Sequence, residues 1–74
     1  MILKLSDMAP GTKGIIRSFE NENLHLKLME MGCIPGEFVT MGNNQSDPIR
    51  INISGYQLSL RLDEAQSVVV EVIT

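Results

Sequence analysis

Ile49-Arg50-Ile51-Asn52-Ile53-Ser54-Gly55-Tyr56-Gln57-Leu58-Ser59-Leu60-Arg61-Leu62 is the stretch on which the fold turns. Apolar and polar residues alternate on both sides of Ser54-Gly55, the pattern of a β-hairpin with one face buried. The spacing predicts Ile49, Ile51, Ile53, Leu58 and Leu60 inward. Beyond it, Asp63–Gln66 reads as a single turn with Ala65 tucked inward, and Val68–Ile73 is β-branched at all but Glu71, a last strand. Before it, Gly42–Pro48 is polar and turn-rich, and Phe38–Met41 is a further strand, with Val39 joining Val68 and Val70 in the core.

The chain N-terminal to these strands supplies a helix. Asn21 or Asn23 can cap it, Glu22 suits its positive end, and Leu24, Leu28 and Met31 recur on one face. Gly32 ends it and Pro35 blocks a restart. Gly14–Phe19 reads as the first strand, with a bulge reconciling Ile16 and Phe19, which are three residues apart. Ser6–Gly11 makes at most one helical turn. The fold class is therefore mainly β: five short strands and one short α-helix in a small, partly open barrel, whose closure would limit unpaired edges.

With 74 residues the chain reads as one domain, 1–74. Six basic residues against nine acidic ones give a net charge of -3, and the six are scattered, so a nucleic-acid partner is not expected. Aromatic residues make up 4 %, too few to stack single strands or to line a groove for proline-rich peptides. The single cysteine, Cys33, forbids an internal disulfide, and no apolar run reaches membrane-spanning length. A cytoplasmic location without membrane insertion is the expectation. No particular oligomeric state is implied.

Ser18, His25 and Asp47 would supply a hydrolytic triad, but no nucleophile elbow accompanies them, and the chain is not read as an enzyme. Phosphate-binding loops are absent from the sequence. Met29, Met31 and Cys33 carry sulfur at alternate positions and could hold a soft ion, but Met31 belongs to the core stripe and Gly32 breaks the helix between them. One Cys and one His fall short of a zinc set. No cofactor and no metal site is expected. Protein binding remains: Leu26 points away from the stripe with Met29 at its flank and His25 beside it, a candidate partner surface. The alternative is that Met1–Leu5 folds across Leu26.

Lys27-Leu28-Met29-Glu30-Met31-Gly32-Cys33-Ile34-Pro35-Gly36-Glu37-Phe38-Val39 resembles the FeoA pattern of Arg-Leu-x-x-Leu/Met-Gly-x-x-x-Gly-x-x-Val. Asp47-Pro48-Ile49, Gly55 to Arg61, Glu64-Ala65 and Val68-x-Val70 are similar to that family's second half, and Leu5-x-x-Met8-x-Pro10-Gly11 to its start. Gly32, Gly36 and Gly55 fall where the pattern needs structural turns, and Lys27 departs from the family's usual Arg. The resemblance implies an SH3-like domain shared with the C-terminus of DtxR-type iron-dependent repressors. With Met1 at its start and no helix-turn-helix, the free-standing form fits better. It also implies an accessory role in bacterial ferrous iron uptake, with the FeoB membrane permease and its cytosolic G domain as partner. The alternative is a carrier or regulatory protein that itself binds iron or another transition metal.

Overall fold

A computed structural model describes residues 1–42 and 47–73. The hairpin forms from strands β4 (Ile49–Ile53) and β5 (Tyr56–Leu60), with Ile51 opposite Leu58 and Ile49 opposite Leu60. Ser54 and Gly55 both take positive φ, 50° and 82°, the requirement of a two-residue turn that follows the twist of its strands. Ile49, Ile51 and Ile53 are buried while Arg50 and Asn52 face solvent. Leu60 is buried and Leu58 half-buried beside them.

The other strands are β1 (Ile2–Lys4), β2 (Lys13–Phe19), β3 (Phe38–Met41) and β6 (Val68–Val72). All pairings are antiparallel, in the order β1-β6-β2-β3-β4-β5. Between Ile16 and Ser18 the pairing of β2 with β6 slips, the bulge that the spacing of Ile16 and Phe19 requires. Ile16 is thereby buried and Phe19 packs at the edge of the core. The sheet stays open between β1 and β5. Its concave face holds the core with Leu5, Met8, Leu28, Cys33 and Ala65 against it.

Among the described residues six strands form rather than five. β1 is three residues long, too short for an alternation to register, and is defined by its backbone pairing with Val69–Glu71. A 3₁₀ turn follows at Leu5–Asp7 and buries Leu5. The turn expected at Asp63–Gln66 is a second short helix, α2 (Leu62–Ser67), which takes Leu62 out of the hairpin strand. The chain bends there because side chains meet its first N–H groups: Asp47 Oδ1 accepts from Leu62 N–H at 3.1 Å, and Glu64 Oε1 from Arg61 N–H at 2.8 Å. Residues 43–46 of the polar loop lie outside the described residues.

Candidate functional site

The first helix, α1 (Glu22–Glu30), is fixed at both ends. At its start Asn21 Oδ1 accepts from Asn23 N–H at 2.9 Å, and Asn21 N–H donates to Ser67 Oγ at 3.0 Å, tying the helix to α2. At its end Cys33 N–H reaches Leu28 O at 2.9 Å and Gly32 N–H reaches Met29 O at 3.1 Å. That pair of bonds needs a left-handed residue, and Gly32 supplies it with φ 108°. Gly36 has φ 95° in the following turn.

Anchoring both ends sets which side chains stay outside. Leu28 is buried and Leu24 and Met31 are half-buried against the core, whereas Leu26 is 70 % exposed. Leu26 lines a shallow hollow of about 210 Å³ with Glu22, His25 and Met29. The His25 ring leans on Phe19, centroids 4.9 Å apart, which orients the imidazole at the rim. The N-terminal segment does not cover Leu26, because its backbone pairs with β6.

An ion pair joins the two helices. Glu64 is 4 % exposed, and Lys27 Nζ donates to its Oε2 at 2.7 Å. That bond, followed by the one from Arg61 N–H, holds the Glu64 carboxyl below the usual carboxylate range, although burial works the other way. The sequence did not single out this pair. The signal was present: Lys27 stands where the FeoA pattern has Arg, and Glu64 stands in the matching Glu-Ala.

The three sulfurs go to three places. Met29 lines the hollow, Met31 faces a second groove, and Cys33 lies in the core. Burial, and then the Glu64 charge, push the Cys33 thiol up to about 11. Among the described residues no three His, Cys, Asp or Glu side chains gather as metal ligands. Of the residues of the considered triad, Asp47 is engaged with the start of α2, and His25 with Phe19.

The second groove was not foreseen from the sequence, because segments far apart in the chain build it. It encloses about 430 Å³ between the exit of α1 and the hairpin tip. Met31, Ile34, Tyr56 and Leu58 make its apolar lining, and Glu30 and Glu37 stand at its rim.

Solved structures share this architecture. An iron uptake regulatory protein, FeoA, is 31 % identical with a TM-score of 0.87, over 99 % of this chain and 100 % of that one. The zinc complex of Stenotrophomonas maltophilia FeoA, described as a prokaryotic SH3 domain protein, is 28 % identical with a TM-score of 0.78, over 93 % of this chain and 89 % of that one. IdeR of T. acidophilum, at 20 % identity and a TM-score of 0.86, shares the fold alone, over 97 % of this chain and 34 % of its own. The open six-stranded sheet is thus an SH3-like barrel. No curated protein sequence matches the chain. The FeoA domain model matches residues 3–72, nearly the whole length, and the chain belongs to the FeoA domain family.

Proposed function

We propose that this chain is a single-domain accessory protein of bacterial ferrous iron uptake. It works in the cytoplasm, catalyses no reaction, and docks through α1 on the cytosolic G-domain part of a FeoB-like permease. Family membership supports the transport role, and a relative is described as an iron uptake regulatory protein. No helix among the described residues is long and apolar enough to cross a membrane, so any action on a permease has to pass through a surface. The observation that carries the reading is Leu26, a large apolar side chain left outside on a helix fixed at both ends, with Met29 and His25 beside it. A pre-formed apolar cluster loses little side-chain and backbone freedom when a partner groove closes on it.

Calorimetric titration of the chain with the permease's cytosolic domain tests this. Leu26→Asp should weaken binding at least about tenfold, with an unchanged circular dichroism spectrum. Unchanged affinity in a folded variant overturns the assignment of the face. The carrier reading has one observation on its side, the zinc in the Stenotrophomonas relative. Elemental analysis after dialysis against chelator separates the two: docking needs no tightly held metal, and one stoichiometric ion would favour the carrier.

A further inference from the structure

The two edges of the sheet are protected unequally. β1 is three residues long, carries Lys4 with its ammonium 3.9 Å from Glu20, and runs directly into the 3₁₀ turn. β5 is five residues long, Tyr56-Gln57-Leu58-Ser59-Leu60, with neither Lys nor Pro, and its pairing with β4 is regular. Lysine, proline, bulges and short length are the usual devices that keep an edge from pairing with other chains. β5 has none of them.

The hairpin register says which groups are available. A two-residue turn pairs its flanking residues through both hydrogen bonds, so Tyr56, Leu58 and Leu60 direct their N–H and C=O groups at Ile53, Ile51 and Ile49. The N–H and C=O of Gln57 and Ser59 therefore point away from the sheet, and both residues are exposed. On the Leu58 side of this edge lies the groove of about 430 Å³, with Tyr56 71 % exposed at its mouth. That volume is within the ~300–1,000 Å³ of ordinary binding sites. Glu30 and Glu37 give the rim two negative charges on a chain of net charge -3.

We propose that β5 and this groove together bind an extended segment of another protein, which adds to the sheet as a seventh strand. Its backbone bonds to Gln57 and Ser59, its alternate apolar side chains enter between Leu58, Met31 and Ile34, and a Lys or Arg meets Glu30 or Glu37. The surface is separate from Leu26 and does not depend on the role given to α1. A second copy of this chain is a poor occupant, since pairing β5 with β5 gathers four rim carboxylates at one interface.

The test uses three fluorescein-labelled nine-residue peptides: valine alternating with threonine with a lysine at each end in step with the valines, the same with a glutamate at each end, and the lysine peptide N-methylated at two central threonines. The lysine peptide should bind at least about fivefold more tightly than the glutamate one. The N-methylated peptide should fail, because in an antiparallel added strand the threonines lie opposite Gln57 and Ser59 and their N–H groups make the ladder bonds. In hydrogen-exchange NMR the Gln57 and Ser59 amides should exchange fast in the free protein and slow on binding. Glu30→Lys should shift the preference toward the glutamate peptide while leaving the circular dichroism unchanged. Equal affinity for the lysine and glutamate peptides, shifts mapping away from β5, or no binding at millimolar concentration overturns the proposal. So does concentration-dependent protection of Gln57 and Ser59 in the free protein, which would assign the edge to self-pairing.

Discussion

Leu26 and Leu28 stand two residues apart on α1, yet one is 70 % exposed and the other 0 %. Two residues turn an α-helix through about 200°, so neighbours of one chemical type serve opposite purposes. The inner leucine fastens the helix to the sheet, and the outer one is held out by that fastening. Local propensity does not distinguish them; burial does.

The comparison breaks most visibly at Leu28. Leu28→Ala should lower stability by about 2–5 kcal/mol in urea unfolding, because it opens a cavity beneath the helix. Lys27, between the two leucines, tests how far the inner face relies on charge. Lys27→Ala leaves the buried Glu64 carboxylate without its cation and should cost about 1–3 kcal/mol. Glu64 titrates lower folded than unfolded, so its contribution is complete above the unfolded carboxylate pKa, about 4.3, and is lost as pH falls below it through the folded value. Urea unfolding at a series of pH values should show a shallower acid-side decline in Lys27→Ala than in the parent. Gly32 fixes where the helix stops, and so which residues lie on each side. Gly32→Ala should cost about 1–2 kcal/mol, since a Cβ is strained at φ 108°. The smallest effect belongs to the outer leucine: Leu26→Ala should shift stability by less than about 0.5 kcal/mol. A larger loss there would erase the distinction between the faces.

Much of this arrangement could be read from the sequence, because it rests on local patterns. The alternation across Ser54-Gly55 set the hairpin and its inward residues, and the irregular spacing of Ile16 and Phe19 signalled the bulge. The candidate caps Asn21 and Asn23 and the stripe through Leu28 marked the helix start and its buried side, and Asn21 is the cap. What escaped depends on partners distant in the chain. β1 exists through pairing with β6, and Leu62 is drawn out of the hairpin into α2 by the side chain of Asp47, fifteen residues earlier. The Lys27–Glu64 pair joins residues with the whole hairpin between them. The groove beside β5 likewise needs Met31 and Ile34 brought against Tyr56 and Leu58, which no periodicity announces.

Cys33 gives the molecule a clock. Its thiol is fully enclosed and pushed up to about 11, so at neutral pH roughly one molecule in ten thousand carries the thiolate, and that thiolate is out of reach of solvent. An alkylating reagent can act when the turn after α1 comes away from the sheet and returns the thiol to water. At high reagent concentration labelling therefore proceeds at the frequency of that opening. The native cysteine times the detachment of the helix that carries Leu26, with no added probe, and can show whether a partner on the outer face slows it.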